Sequence, residues 1–395
     1  MIFQTLDDKQ ECVGVYADGK LHFDNMPSDL LKTWKYTGSI TDKNVEYAWI
    51  YCGGQTMSDV CPEELKQDWE SALKKLNAYK KAFTIAKLNL REHCFFDLIP
   101  HDALVEFCEV KNKITKHVFD NYEKPTNYEY LTAASKLLHK IKHQDLMVDN
   151  KDCRQLFVSS TLLAGSRKIL AGNFYIDYNL FGTRTGRLTT HPLSFPVLTM
   201  KRELRALVKP RNNWFLSLDY NGAEVRTLLA LSEQNQPTED IHEWNIKHVF
   251  EDANMTREQA KTVFFSWLYN PEADHVETNY YDREKVLDRY YDGEYINTIF
   301  GRRIKVEPRK AFNYLIQSTT ADLVIERAIA IDEFLNDTKS FISHIVHDEI
   351  VIDFADEDRE LIPQIREIFS SNRLANFMVN LKAGKDYFYL KKLSL

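Results

Sequence analysis

No stretch of this 395-residue chain stays apolar for long enough to cross a bilayer, where a spanning helix needs about 20 such residues. The first residues, MIFQTLDDKQ, lack the basic segment and apolar run of a secretory leader. The expectation is a cytoplasmic protein with no membrane partner. The six cysteines (Cys12, Cys52, Cys61, Cys94, Cys108, Cys153) form no Cys-x-x-Cys, and no His pair follows at zinc spacing. Free thiols in a reducing compartment are expected. There is no internal repeat and no low-complexity linker. There is also no surplus of positive charge: 51 Lys+Arg stand against 58 Asp+Glu, a net of −7. Taken alone, that balance argues against a nucleic-acid partner.

What is present is a globular composition, 44% hydrophobic and 28% charged. The length suits one large domain or two to three ordinary ones. The charge is unevenly spread. KRELRALVKPR (201–211) and GRRIKVEPRK (301–310) are strongly basic, residues 111–170 are basic overall, and 271–294 is acidic. Basic patches inside an acidic whole can still track a phosphate backbone.

ECVGVYADGKLHFD reads as a hairpin turning at Ala17-Asp18-Gly19. Residues 62–83 read as a charged amphipathic helix with Pro62 at its start. Helices continue over 102–170, broken near Pro125-Thr126-Asn127. Strand and turn signals return at 175–220, with a strand from Trp214 to Leu218 after Asn212-Asn213 and just before Asp219. Residues 255–290 read as helical and 313–336 as one long helix. The mixture has no βαβα rhythm, which favours α+β.

SHIVHDEIVIDF (343–354) reads as two short strands around His347-Asp348-Glu349. That turn has no Gly, Asn or Pro to ease it. Asp219 also ends a hydrophobic strand, and each of these two aspartates is followed within a few residues by a Glu. Two aspartates at the ends of adjacent strands can share a pair of Mg²⁺ ions ~3.5–4 Å apart, the arrangement of in-line phosphoryl transfer. Taken singly, either is an ordinary turn residue.

In TREQAKTVFFSWLYN (256–270), Thr256 with Gln259 forms a capping box and starts a helix. Arg257, Lys261, Phe265 and Tyr269 recur every four residues and make a stripe about 18 Å long. Its cationic end lies at the positive end of the helix dipole and suits a polyphosphate. Its aromatic end suits the face of a base. FGTRTGRLTTHP (181–192) is a basic Gly/Thr loop. GRRIKVEPRKAFNYLIQSTTAD leads basic residues into a helix with Asn313 and Gln317 on one face. Amides beside arginines can read groove edges or sugars.

Together, and in this order, these segments resemble the family A DNA polymerases, the group of bacterial DNA polymerase I. The residues that carry the resemblance are TGRL (185–188), DYNGAEVR (219–226), DIH (240–242), R-x3-K-x3-F-x3-Y (257–269), N-x3-Q (313–317) and HDE (347–349). It implies a right-hand polymerase architecture: an antiparallel palm sheet, helical fingers and thumb, and a small N-terminal domain. Residues 1–95 would be a cap or a reduced exonuclease-like region and 96–395 the polymerase domain. Within the latter the thumb would lie at about 102–170, the palm at about 171–240 and 300–395, and the fingers at about 241–299. Asp219 and Asp348 would hold two Mg²⁺ ions, with Mn²⁺ as a substitute, and Glu349 would support them. Glu224 would lie under the sugar of an incoming dNTP. His242, Arg257 and Lys261 would bind its triphosphate, Lys261 also serving as a proton donor. Phe265 and Tyr269 would pack against the nucleotide. Arg187, Arg309, Asn313, Gln317 and His347 would contact primer–template DNA.

The sequence departs from the family at Asn221-Gly222-Ala223, Asn270 and Pro192–Phe195. The fingers are short between Tyr269 and Gly301. Compactness suits a phage-borne enzyme in its host's cytoplasm. The only early Asp-x-Glu, Asp68-Trp69-Glu70, falls inside the charged helix, so no 3′–5′ proofreading is expected and a separate exonuclease or processivity partner has room. The rival readings are a single-subunit RNA polymerase, a subunit working with an accessory chain, and a catalytically dead nucleic-acid-binding relative.

Overall fold

The computed structural model describes residues 4–6, 14–35, 40, 43–90, 92–149, 151, 160–270, 272–273, 276 and 278–393. Two compact units divide the chain, Met1–Thr132 and Ala133–Leu395.

In the first unit the Asp18-Gly19 turn forms as the sequence requires. Asp18 (φ 49°) and Gly19 (φ 75°) are both left-handed, which is the pattern of a type I′ turn between the strands Val15–Ala17 and Lys20–His22. A third strand, Thr5–Leu6, pairs with Val15–Ala17. Beyond Pro62 a short 3₁₀ turn leads into the helix Lys66–Ile85. Its apolar face, Trp69, Ala72 and Leu76, packs into one core with Leu104, Phe107 and Cys108 of the helix His101–Asn121. Trp69 stacks on Phe107 with ring centroids 5.4 Å apart. That packing draws His101–Asn121 into the first unit, which extends to Thr132. Asp68 and Glu70 are exposed on the helix around the buried Trp69. Cys52, Cys61 and Cys108 are buried and outside any disulfide. Cys94 is disulfide-bonded, which corrects the expectation that every thiol is free.

The second unit is built on a five-stranded antiparallel sheet. Its spatial order is Phe341–Val346, Glu349–Phe354, Trp214–Tyr220, Val379–Gly384, Lys391–Lys392. The strand Trp214–Tyr220 is central and almost continuously buried, and Val351, Ile352 and Phe354 beside it are fully buried. Burial on both faces is why the central strand is almost continuously apolar. Buried Asp353 is the exception: its carboxylate accepts the backbone N–H groups of Arg211 (2.6 Å) and Asn212 (2.8 Å). It thereby closes the turn that feeds the central strand. The long helix runs Pro308–Phe334 with Pro at its first turn, five residues earlier than the sequence suggested. It packs on the helix Ala223–Leu231, where buried Thr320 donates to Thr227 at 3.0 Å. The expected 255–290 helix is two helices, Arg257–Tyr269 and Arg283–Tyr290. These elements share a core that includes Leu228, Ile241, Phe264, Val286 and Leu315. The observed class is α+β with an antiparallel sheet. Among the described residues no helix is long and apolar enough to cross a membrane.

Candidate active site

The register of the sheet brings the two aspartates together. Asp219, near the end of the central strand, pairs with Glu349, the first residue of the neighbouring strand. Asp348 immediately precedes Glu349, in a two-residue turn with His347. His347 has φ 57°, the only positive φ in that turn. A left-handed non-glycine residue is strained, by roughly 1–3 kcal/mol in sparsely populated regions, and persists only where its surroundings enforce it. The absence of Gly noted in the sequence is therefore a real strain at the turn that carries Asp348.

Both aspartates line a cavity of about 550 Å³. Burial, reinforced by the charge of Asp348, pushes the Asp219 carboxyl up to about 7. Burial likewise raises Asp348. Asn380, opposite Asp219 on the other neighbouring strand, hydrogen-bonds the Asp219 carboxylate. Glu349 does not line the cavity. Its carboxylate accepts Ser217 Oγ at 2.5 Å and the Tyr387 hydroxyl at 2.8 Å, so it is held against the sheet.

The stripe on the helix Arg257–Tyr269 forms the facing wall. Thr256 caps it as read: its Oγ1 accepts the Gln259 N–H at 3.3 Å, and Gln259 Oε1 accepts the Thr256 N–H at 2.8 Å. Arg257, Lys261, Phe265 and Tyr269 all line the cavity. Phe265 and Tyr269 stack 5.7 Å apart. Arg257 donates from Nε and an Nη to the Asp240 carboxylate at 3.1 and 2.9 Å. Burial opposes charge on Asp240, but the bonds from Arg257 and Asn221 outweigh it and hold the carboxyl down at about 2. His242 stands 6.2 Å from the Phe265 ring, and its Nδ1 is buried without a partner. Burial, with Arg257 nearby, pushes this imidazole down to about 4, so it is neutral.

Between the walls lies Glu224, 8% exposed. Its carboxylate accepts from Arg187 and from the Tyr269 hydroxyl. Burial raises the Glu224 carboxyl, and burial with the Glu224 charge raises the Tyr269 phenol. Arg187 follows Gly186, whose φ of 77° and tight surroundings exclude a side chain. A Cβ there would come within 2.5 Å of the Arg302 guanidinium. That guanidinium is itself fixed by a two-pronged pair with buried Asp322, at 2.9 and 2.6 Å.

Three expected DNA contacts lie outside the cavity lining. Asn313 donates its amide to the Tyr269 carbonyl at 3.1 Å, closing the end of the cavity helix. Exposed Arg309 pairs with Glu272 at 3.5 Å. Gln317 is half-buried one turn beyond Asn313. His347 lines the cavity from the strained turn.

The sequence reading passed over two organisers. Buried Asn221 donates to Asp240 at 2.6 Å and accepts the Ile241 N–H at 2.8 Å. Arg226 is fully buried without a carboxylate partner, yet all five of its donor positions are used. They reach the Asn221 carbonyl and side chain, Gln236, and the Pro237 and Glu239 carbonyls. Burial lowers its pKa to about 10. Together they fix the 236–242 segment that presents Asp240 and His242. The only sequence signal was their place inside DYNGAEVR.

No family model matches the chain. Over 255 residues it is 28% identical to the thermostable DNA polymerase I of Thermus filiformis, across 50% of this chain and 30% of that protein. The Thermus aquaticus enzyme is 25% identical over 245 residues, 49% of this chain and 29% of its own. Over about half its length, this chain is similar to DNA polymerase I. DNA polymerase I of Pseudomonas aeruginosa is 23% identical over 267 residues, 54% and 29% of the two chains. The match thus spans less than a third of the length of these polymerase I relatives. A solved structure, the POL domain of Pol1 from M. smegmatis in complex with DNA primer-template and dNTP, has a TM-score of 0.46 and 18% identity. It covers 82% of this chain and 66% of its own.

Proposed function

We propose that the chain is a template-directed DNA polymerase that adds deoxynucleotides to a primer 3′ end by two-metal phosphoryl transfer. The observation that carries this reading is that one cavity has the paired carboxylates on one wall and a cation-to-aromatic stripe on the other. The sheet would serve as the palm, the segment around Arg257–Tyr269 as the fingers, and the helices of about 102–170 as a thumb.

The residues present fit Mg²⁺. Two half-buried carboxylates that resist carrying charge would be relieved by a cation. Among the described residues no group of three or more His, Cys, Asp or Glu forms an all-protein cage. Mg²⁺ is characteristically held by one or two carboxylates plus substrate phosphates. Asp219 and Asp348 would hold it, and when bound it would neutralise the charge that develops in transfer.

The remaining roles belong to the chain's own groups. Lys261, exposed at the cavity mouth, sets its ammonium where a triphosphate would enter. Arg257 must share its guanidinium between Asp240 and an incoming phosphate. Neutral His242 would donate a hydrogen bond rather than a charge. Phe265 and Tyr269 offer a stacked surface to the nucleotide. Glu224, tied to Tyr269 and Arg187, would fill the space below the sugar and reject a 2′-hydroxyl.

The proposal includes no intrinsic 3′–5′ proofreading, since the early Asp68 and Glu70 sit on a helix around a buried Trp. The decisive experiment is primer extension with dNTPs and Mg²⁺. Extension should occur and fall at least about 10³-fold in Asp219→Asn and Asp348→Asn, because each change removes charge where the triphosphate must be neutralised. Full activity in either variant would refute the metal assignment. A mismatched primer should stay intact when dNTPs are withheld.

A further inference from the structure

The strand Phe341–Val346 is the outer strand of the sheet at the end that carries Asp348. Val346 pairs with Glu349 across the two-residue turn, and Ile345 pairs with Ile350. Hydrogen-bonded and non-bonded pairs alternate in an antiparallel ladder. With Val346–Glu349 closing the turn, the N–H and C=O of Ile345 point away from the sheet. Ile345 is 1% exposed, so water cannot satisfy them, and a buried orphan pair is costly.

One oxygen satisfies both. The Tyr178 hydroxyl donates to the Ile345 carbonyl at 2.5 Å and accepts the Ile345 N–H at 2.9 Å. A phenol has one donor and spare acceptor capacity, so it can stand in for a neighbouring strand. Burial raises the Tyr178 phenol further, which keeps it the protonated donor.

Both ends of this link lead to the cavity. Ile345 lines it and precedes the strained His347 by two residues and Asp348 by three. Tyr178 belongs to a short strand paired with Thr189–Thr190. The loop between those strands carries Gly186 and Arg187, which also line the cavity. A single hydroxyl therefore joins the loop that presents Arg187 to the turn that presents Asp348.

We propose that Tyr178 is a positioning residue: its hydroxyl locks the Asp348 turn to the Arg187 loop and fixes the spacing of carboxylate and guanidinium. It contacts no substrate. The catalytic consequence rests on the polymerase reading above, whereas the lock itself does not.

Tyr178→Phe tests this, because it removes the oxygen and keeps the ring. Amide hydrogen exchange reads the lock without any activity. In the wild type the Ile345 amide should be as protected as that of Ile350, and in the variant it should exchange at least about tenfold faster. Steady-state extension, normalised to active molecules by titration, reads the consequence. The kcat should fall about tenfold and the half-saturating Mg²⁺ should rise severalfold, while the KM for dNTP stays within twofold; small misplacements of reacting groups act in this way. A purely structural role would lower the melting midpoint and leave these normalised constants unchanged, and that result would overturn the proposal. Fast exchange at Ile345 in the wild type would overturn it as well, even if the variant did not fold. If the wild type fails to extend primers, the polymerase reading falls, and the exchange result still decides the lock.

Discussion

Glu224 shows how much one side chain is asked to do. It is buried, its carboxyl is raised by that burial, and it is held by Arg187 and Tyr269. A site built around a satisfied buried polar group rejects a misfitting hydroxyl far more strongly than an apolar pocket rejects a methyl; discrimination of about 10⁴ is the expected scale. Glu224→Ala should lower the ratio of dNTP to rNTP kcat/KM by about 10² or more while keeping substantial dNTP incorporation. Single-nucleotide kinetics measure this. An unchanged ratio would assign sugar choice to Tyr269 or to Asn221-Gly222-Ala223. Asp219 gives a second test, with a sign that can be worked out. Its folded pKa of about 7 lies above the ordinary 3.8, so the folded chain holds a proton that the unfolded chain releases. The associated stability is complete below pH 4 and is lost as pH rises through 7. At pH 8, without metal, Asp219→Asn should therefore raise the melting midpoint, by about 2 °C or more, whereas with Mg²⁺ and dNTPs present it should cut extension at least about 10³-fold. At pH 4 the gain should vanish. A midpoint that falls at pH 8 would show that Asp219 is better solvated than its burial implies.

At the scale of elements, the site depends on how segments begin and end. The helix Ala223–Leu231 starts at Gly222, whose φ is 70° and where a Cβ would come within 2.5 Å of Ile241 Cγ2. Gly222→Ala meets both obstacles and should cost about 1–3 kcal/mol of stability. It should also displace Ile241 and hence His242, so the KM for dNTP should rise. Denaturant unfolding and kinetics would measure the two effects separately. At Thr256 the capping box is on the surface. Thr256→Ala should cost about 1 kcal/mol and loosen the start of the helix at Arg257, where the triphosphate is proposed to bind. If both variants match the wild type in stability, these boundaries are set by packing alone.

At the scale of the molecule, charge is rearranged by folding. In sequence the acidic surplus of 271–294 and the basic segment 301–310 are separate. In the fold Lys305 pairs with Glu294 and Arg309 with Glu272, and half-buried Arg302 is fixed on buried Asp322. Exposed pairs of this kind are weak, worth about 0–1 kcal/mol, so a phosphate can compete for Lys305 and Arg309. Arg302 is not available in this way. Primer–template affinity should still fall steeply with salt despite the net charge of −7. A log–log slope of about −3 or steeper is expected if a few phosphates are neutralised. A flat dependence between low and moderate salt would mean that the basic segments face away from DNA.

Local chemistry was legible without any fold. The Asp18-Gly19 turn, the Thr256 cap, the four-residue stripe and the apolar strands around His347-Asp348 are short-range patterns, dictated by backbone sterics and side-chain periodicity. The sequence therefore named the paired carboxylates, the facing stripe and an α+β class. It could not name partners far apart in the chain. That Asn313 is engaged by the Tyr269 carbonyl, that Glu349 is held by Ser217 and Tyr387, and that the helix His101–Asn121 belongs with the first unit are results of packing. So are the five-fold anchoring of Arg226 and the bond from Tyr178 to Ile345 across 167 positions. A buried polar group must find a partner wherever the fold supplies one. Sequence spacing carries no record of that choice, because the free energy that decides it exists only once water has been excluded.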